Sequence, residues 1–516
     1  MFAAESLVRT LINQGVEVCF TNPGTSEMHM VAALDRIEGM RSVLCLFEGV
    51  ATGAADGYAR MAGKPASTLL HLGPGVGNGL ANLHNAQRGH APVVNIVGDH
   101  ARDHLKLDAP LTSDVDGVCR PMSRWVGRVT QPSEVSAMAV EAVRQAYGPE
   151  RGVASLILPA DCAWSNAEPD VLPAINPPGL NAVPADTVDR VAEALKAAKS
   201  PVILLGNEAC LDVGLEAAGR IAGATGAKLF MDTFVPRIAR GHGRVSPQRL
   251  AYFGEQALEE LAGTDLLVIA GSKPPVAFFA YPGQPGELTP PETNTLTLGG
   301  PADDIGQALG DLAAHFPGTA APEPSPRAGA PDLAPDEPLN PGYVGISLLR
   351  HMPEDSVICD DSTTSGMGVF PWIENGPRHD WLCLTGGAIG SGMPQAVGAA
   401  MACQDRQVFA LSGDGAAAYT LQALWTQARE KQNVINIVFA NHSYLVLNVE
   451  LSRVGAGEPG PAAQQMLSLD NPKMDWVKLS EGFGVPAQRA RTAGEFDAAL
   501  QAALDAGGPQ LVVAEI

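Results

Sequence analysis

The stretch from Gly413 to Asn441, GDGAAAYTLQALWTQAREKQNVINIVFAN, constrains the fold of this chain most. It reads as a tight turn, a helix-like run and an apolar strand, closed by an asparagine. Strand, helix, strand in that order is the unit of a parallel sheet, with the last strand returning beside the first. The turn offers backbone N–H groups to a phosphate, and Asp414 offers oxygen to a hard cation. The strand brings Asn441 back beside it, followed by the carbonyl of Ser443. Oxygen donors so placed suit Mg²⁺ or Ca²⁺ bridging a diphosphate.

The same alternation runs through the rest of the chain. Ala3–Gln14 reads as an amphipathic helix ending at Gly15, and Glu17–Thr21 as a strand into Asn22-Pro23-Gly24. Val43–Phe47 is a strand feeding Glu48 and a small-residue helix, Gly49–Ala62. Ser67–His71 is the next strand, followed by a Gly73-Pro74-Gly75 turn and another helix; Val93–Gly98 and Ala154–Leu158 are buried strands. After a Pro-rich linker at Asn166–Asp186, a second unit has strands Pro201–Leu205, Ala227–Met231, Leu266–Ala270 and Asn294–Leu298. A second linker, Pro317–Pro341, precedes a third unit that holds Asp414. The fold class expected is α/β, with three doubly wound parallel-sheet domains at 1–168, 185–318 and 342–516.

Composition narrows the function classes. A formal charge of −22 repels nucleic acid and anionic membrane, so any phosphate site has to be local. The 8 cysteines include no CxxC pair and mostly lie in apolar runs, as buried free thiols in a reducing cytosol do. Glu5 and Arg9 interrupt the first apolar stretch, so no signal sequence is expected. No run of about 18 apolar residues exists to span a bilayer. A cytoplasmic location is the expectation.

Several single residues invite chemistry. Glu48, between an apolar strand and a helix, suits proton sharing with a nitrogen base; it also suits a carboxylate stabilised by the helix dipole. His71 ends a strand, where open α/β sheets bind ligands, although a loop carbonyl could equally hold it. Thr25 is either a helix cap, with Glu27 behind it, or a substrate contact. Asp361-Ser362-Thr363-Thr364 follows the strand Ser356–Cys359 and could hold a phosphate or cap the next helix. His84, His90, His100 and His104 lack zinc-site spacing, and neither GxSxG nor GxxxxGK[ST] occurs.

Three separated segments share one resemblance. TNPGTSE…LFEGVATGAADGYARMAGKPA…GPGVGNGLAN resembles the pyrimidine-binding domain of thiamine-diphosphate enzymes. GGAIGSGMPQAVGAAMA with GDG…Asn441 resembles their diphosphate-binding domain, and the residues between resemble the central domain of the acetolactate synthase and pyruvate oxidase group. The likeness is strongest to the acetolactate synthase large-subunit group and more distant to benzoylformate decarboxylase. It implies that Glu48 bonds N1′ of the cofactor's aminopyrimidine, and that Asp414, Asn441 and the Ser443 carbonyl hold the metal. It implies that Gly415, Ala416, Thr363 and Thr364 contact the diphosphate, with Tyr444 beside them. Gly387 matches a backbone contact to the aminopyrimidine, and Ile389 the bulky residue that bends the cofactor. Glu48 of one subunit would serve cofactor held by Asp414 of another, so a homodimer or homotetramer is implied.

The resemblance also shapes the reaction expected. His71 and Thr25 match a histidine and a serine of the decarboxylase pocket, whereas Pro275–Tyr281 carries no counterpart of its second histidine. An apolar wall there favours carboligation over proton delivery. Leu111, Phe278, Val446 and Leu447 are the expected substrate-pocket residues, Val446 hinting at a short-chain substrate. Gly271-Ser272-Lys273-Pro274 lacks the Arg-rich turn with which acetolactate synthases hold FAD, so FAD is expected to be absent. The function expected is decarboxylation of a 2-oxo acid with transfer of its acyl unit to a second carbonyl. The alternatives are a simple 2-oxo acid decarboxylase, a lyase, or a non-catalytic scaffold.

Overall fold

The computed structural model describes residues 1–167, 171–318 and 325–516. The expected domain end at 168 and part of each linker lie outside them. Three mostly parallel sheets form. The first comprises β1 (Val18–Asn22), β2 (Arg41–Leu44), β3 (Ala66–Leu70), β4 (Val93–Asp99), β5 (Trp125–Arg128) and β6 (Val153–Pro159), ordered β2-β1-β3-β4-β6-β5. The second uses β7 (Pro201–Leu205), β8 (Lys228–Met231), β10 (Gln248–Arg249), β11 (Leu266–Ala270) and β12 (Asn294–Gly299), ordered β10-β8-β7-β11-β12. The third holds β13 (Ser356–Asp361), β14 (His379–Leu382), β15 (Val408–Gly413), β16 (Val434–Ala440), β17 (Ala487–Ala490) and β18 (Gln510–Glu515). Its order is β17-β18-β16-β15-β13-β14-β9, where β9 is Ile238–Arg240.

Two of these orders reverse where ligands are expected. The first sheet steps from β1 to β2 on one side and to β3 on the other, so the crevice lies beyond Asn22 and Leu70. The third reverses between β13 and β15, and the register pairs Asp361 with Ser412. Gly413 in turn pairs with Phe439 of β16. The loop of Thr363, the turn of Asp414 and Asn441 therefore emerge side by side.

The structure corrects four local expectations. The strand expected over Val43–Phe47 ends at Leu44: the Cys45 N–H still bonds Thr21 O (2.9 Å), after which the chain leaves the sheet. The helix begins at Glu48 rather than Gly49. Gly73-Pro74-Gly75 is the first turn of helix Leu72–Arg88, where a proline loses only an N–H that has no partner inside the helix. Finally, β9 belongs by sequence to the central unit but pairs antiparallel with β14, extending the third sheet.

The first and third domains are packed through glycine. Helices Glu48–Ala62 and Gly392–Ala402 cross so closely that a Cβ on Gly398 would lie 1.8 Å from Ala54 O, and one on Gly57 2.1 Å from Gln395 O. One apolar core runs through both helices, including Val50, Ala54, Val397 and Ala399. A buried ion pair sits at this crossing. Arg60 donates Nη2 to Asp56 Oδ2 (2.7 Å), Nη1 to Cys383 O (2.8 Å) and Nη2 to Thr385 Oγ1 (2.9 Å). Asp56 also accepts from Gln395 Nε2 (2.8 Å). Removing one member of such a pair leaves a buried charge unpaired, which costs about 3–5 kcal/mol. No described helix is long and apolar enough to cross a membrane.

Candidate active site

At the first crevice His71 is the N-terminal cap residue of helix Leu72–Arg88. Its Nδ1 donates to Glu27 Oε2 (2.8 Å). Ser26 Oγ lies 3.2 Å from the same Nδ1 and donates to Glu27 Oε1 (2.6 Å). Glu27 is buried and also accepts the Gly24 N–H (2.8 Å). A Cβ on Gly24 would fall 2.0 Å from His71 Nδ1, and one on Gly98 1.7 Å from Glu27 Oε1, so both close approaches require glycine. Glu27 and Ser26 are thus the partners of His71. Thr25, expected as a helix cap or a substrate contact, is exposed, and its hydroxyl makes no hydrogen bond among the described residues.

Glu48 lies near this group. It is 9% exposed, and its Oε2 accepts from Asn78 Nδ2 (3.0 Å). A Cβ on Gly75 would meet Glu48 Oε1 at 3.2 Å and His71 Cβ at 3.2 Å, so the carboxylate and the imidazole share one helix turn. No described hydrogen bond ends on Glu48 Oε1. Leu111 sits two residues before Ser113, whose Oγ occupies the space a Gly73 Cβ would need (2.1 Å). The Leu111 loop therefore flanks the same end of the sheet.

The third-domain crevice gathers the oxygen donors. Asp414 is 2% exposed and accepts the Gly415 N–H on Oδ1 and the His442 N–H on Oδ2, both at 2.8 Å. The Gly415 N–H, expected to reach a diphosphate, is directed to Asp414 here. Asn441 Oδ1 accepts the Ser443 N–H (2.9 Å). The His442 carbonyl is occupied by the Leu469 N–H (2.8 Å), whereas no described hydrogen bond ends on the Ser443 carbonyl. Burial pushes the Asp414 carboxyl above its ordinary range, against the pull of the two N–H groups. A cation beside it would reverse that shift. No described cluster of three His, Cys, Asp or Glu side chains could hold a metal. A metal at Asp414 would therefore rest on carboxylate, carboxamide and carbonyl oxygens, the donor set of Mg²⁺ or Ca²⁺.

Backbone strain marks the same places. Leu72, Thr363 and His442 have φ of 46°, 50° and 54° without being glycine. For a β-branched threonine this is a genuine outlier, of the kind that clusters at ligand sites. The Thr363 and Thr364 hydroxyls make no described hydrogen bond and are available to a ligand. Ala416 is buried, and a Cβ on Gly415 would lie 2.4 Å from Tyr444 Cε1, so the Tyr444 ring covers the Asp414 turn.

The Gly386–Gly390 loop is held from two sides. Asn85 donates Nδ2 to Ala388 O (2.8 Å) and accepts the Ala388 N–H on Oδ1 (3.2 Å). Asp361 Oδ2 accepts the N–H groups of Gly390, Ser391 and Gly392 at 2.7, 2.8 and 3.3 Å. Burial nevertheless pushes its carboxyl up to about 7. Between these anchors, Gly387 (φ 72°) is exposed and Ile389 half-buried. Phe278 of the central domain reaches this loop: a Cβ on Gly387 would meet its Cε1 at 3.5 Å. Its ring stacks edge-on with Phe234 (5.3 Å) and tilted on Tyr252 (5.1 Å). Val446 and Leu447 open helix Leu445–Arg453, just past Ser443.

The two switch-point crevices thus hold a buried carboxylate, Glu48, at one and a set of oxygen donors around Asp414 at the other, an arrangement that suits a cofactor carrying a diphosphate. Comparison with known proteins names the cofactor. Residues 1–118 match the family described as thiamine pyrophosphate enzyme, N-terminal TPP binding domain, and residues 362–514 its C-terminal TPP binding domain. The chain is 48% identical over 515 residues to the "Putative acetolactate synthase large subunit IlvX" of Mycobacterium tuberculosis, covering 99% of this chain and 98% of that one. It is 29% identical to benzoylformate decarboxylase of Pseudomonas aeruginosa, covering 97% and 96%. The solved structure of a Rhodococcus jostii RHA1 thiamine diphosphate-dependent 4-hydroxybenzoylformate decarboxylase superposes with a TM-score of 0.86 at 25% identity, covering 100% of this chain and 99% of that one. The chain belongs to the thiamine diphosphate-dependent enzymes.

Proposed function

We propose that this enzyme is an acetolactate-synthase-like carboligase, which decarboxylates a 2-oxo acid and transfers its acyl unit to a second carbonyl. Bound thiamine diphosphate supplies a nucleophilic carbon and an electron sink for the loss of CO₂. Glu48 holds and returns a proton at N1′ of the aminopyrimidine. Asp414, Asn441 and the Ser443 carbonyl hold Mg²⁺, or Ca²⁺ in its place. Thr363, Thr364 and the Ala416 N–H receive the diphosphate, with Gly415 and Tyr444 shaping the turn. Gly387 and Ile389 seat the rings. His71, fixed by Glu27, and the Thr25 hydroxyl orient the substrate carboxylate. Glu48 and Asp414 act from different subunits, in a homodimer or homotetramer that works in the cytoplasm.

The observation that carries carboligation over simple decarboxylation is the wall at Gly387. Phe278, Phe234 and Tyr252 form it, and Pro275–Tyr281 contains no histidine to deliver a proton. An aromatic wall without a proton donor would favour attack on a second carbonyl over release of the free aldehyde. Incubating the protein with thiamine diphosphate, Mg²⁺ and a panel of 2-oxo acids tests this. Products with a new C–C bond are expected by mass; free aldehyde as the only product overturns the proposal.

One observation favours the second reading, a 2-oxo acid decarboxylase. The His71–Glu27 pair at 2.8 Å, with Ser26 against it, would supply a proton donor for such a reaction. The same incubation separates the two.

A further inference from the structure

Helix Leu445–Arg453 buries none of its own residues, yet it carries Val446 and Leu447 directly behind the Ser443 carbonyl. Its start is tied by the Tyr444 N–H to Leu467 O (2.9 Å). Its far end is held by another domain. Arg453 donates Nη1 to Glu255 Oε1 at 2.5 Å and Nη2 to Glu255 Oε2 at 2.7 Å. Its guanidinium carbon lies 4.2 Å from the Phe253 ring centre and 4.9 Å from that of Tyr281. Tyr281 Oη donates to Glu450 Oε2 (2.8 Å). Positions 446, 450 and 453 are spaced i, i+4, i+7 and share one helix face, so the face gripped at its end presents Val446 at its beginning.

Tyr281 also closes the segment that carries Phe278. The base of that segment is fastened by Ala277 N–H to Gly286 O (2.8 Å) and Leu288 N–H to Pro275 O (3.1 Å). Beyond the base, Phe278 and Phe279 remain 42% and 55% exposed. Only at Tyr281 does a described side-chain hydrogen bond tie the segment to the third domain. The Arg453 guanidinium holds the Glu255 carboxyl down at about 2, so the pair is ionised at neutral pH. A pair this open to solvent adds little global stability. Its bidentate geometry is suited to fixing the angle of a helix.

We infer that Glu255, Tyr281, Glu450 and Arg453 form a latch between the central and third domains, which sets the Phe278 wall against the Val446 turn and so fixes the width of the substrate entrance. All four are positioning residues; none touches the reacting atoms. The inference rests on the reading that Phe278 and Val446 line the substrate pocket.

The test uses the full chain with Arg453→Met, which keeps the aliphatic bulk, Tyr281→Phe, which removes one hydrogen bond, and Arg453→Lys as the conservative partner. In cofactor-free protein, amide hydrogen exchange in Arg453→Met is expected to rise about tenfold in both 445–453 and 276–282, because one latch holds both segments. Arg453→Lys returns both part of the way. In the loaded enzyme, KM for a 2-oxo acid is expected to rise about tenfold in Arg453→Met, more than kcat falls. Tyr281→Phe moves both readouts in the same direction by less. Faster exchange in 445–453 with 276–282 unchanged, or an unchanged KM, overturns the latch. A parent enzyme that releases only aldehyde refutes the carboligase reading instead, and leaves the exchange result to decide the latch.

Discussion

Replacing Glu48 by Gln is expected to lower kcat by about 10³-fold, the middle of the range for a general acid–base group, with little change in melting temperature. Glutamine has the same shape, and its carbonyl still accepts from Asn78 Nδ2, the one described hydrogen bond of the Glu48 side chain. What disappears is the exchangeable carboxyl proton. The direct readout is deuterium exchange at the thiazolium C2 of bound thiamine diphosphate, followed by rapid quench and NMR. Parent-like exchange in Glu48→Gln would remove Glu48 from the mechanism. Loss of exchange together with loss of folding would assign it a structural task only.

The second large effect is expected at Asp414. Asp414→Asn keeps the size of the side chain but removes the negative charge and one of the two acceptors that now meet the Gly415 and His442 N–H groups. The proposed metal loses its only anionic protein ligand. Binding of thiamine diphosphate in the presence of Mg²⁺, measured by titration calorimetry, is expected to weaken about 10²-fold, or about 2.8 kcal/mol. Raising Mg²⁺ should recover part of the loss. An unchanged Kd would mean that the diphosphate is held elsewhere.

Those two residues stood out in the sequence because each opens a helix that follows an apolar run, and strand ends are where α/β sheets bind. Strands β7 and β11 were legible to the residue, since continuous apolar runs bounded by Gly, Pro, Ser and Asp leave little choice of ends. The strand before Glu48 was not. Cys45-Leu46-Phe47 is apolar, but after the Cys45 bond to Thr21 the sheet ends and Phe47 becomes the helix cap. Periodicity cannot distinguish an apolar strand from an apolar turn that packs against other elements. Gly73-Pro74-Gly75 misled in the opposite direction, because the first helical turn tolerates proline as readily as a loop does.

Other site residues were illegible because long-range contacts create their roles. Glu27 has no local mark beyond its position after Gly24; only the fold brings it to His71, 44 residues away. Asp361 reads as part of a phosphate loop, yet its carboxylate gathers three N–H groups some 30 residues downstream, at Gly390, Ser391 and Gly392. Arg60 looks like a charge at the end of a small-residue helix until Cys383 and Thr385 arrive from the third domain. In the motif TNPGTSE the threonine hydroxyl drew the attention, and Ser26 and Glu27, which the turn directs at the histidine, went unnoticed as its partners. The signal that could have found them is the pair of glycines, Gly24 and Gly98, whose missing Cβ atoms leave room for His71 and Glu27.

The central claim is that Glu48 and the Asp414–Asn441–Ser443 oxygens act on the two ends of one cofactor. A crystal structure of the protein grown with thiamine diphosphate and Mg²⁺ tests it most directly. The account predicts one metal ion bound by Asp414, Asn441 and the Ser443 carbonyl, with the aminopyrimidine N1′ within hydrogen-bond distance of Glu48 from a neighbouring subunit. A metal held by other residues, or an aminopyrimidine ring beyond the reach of every Glu48 in the assembly, would contradict it.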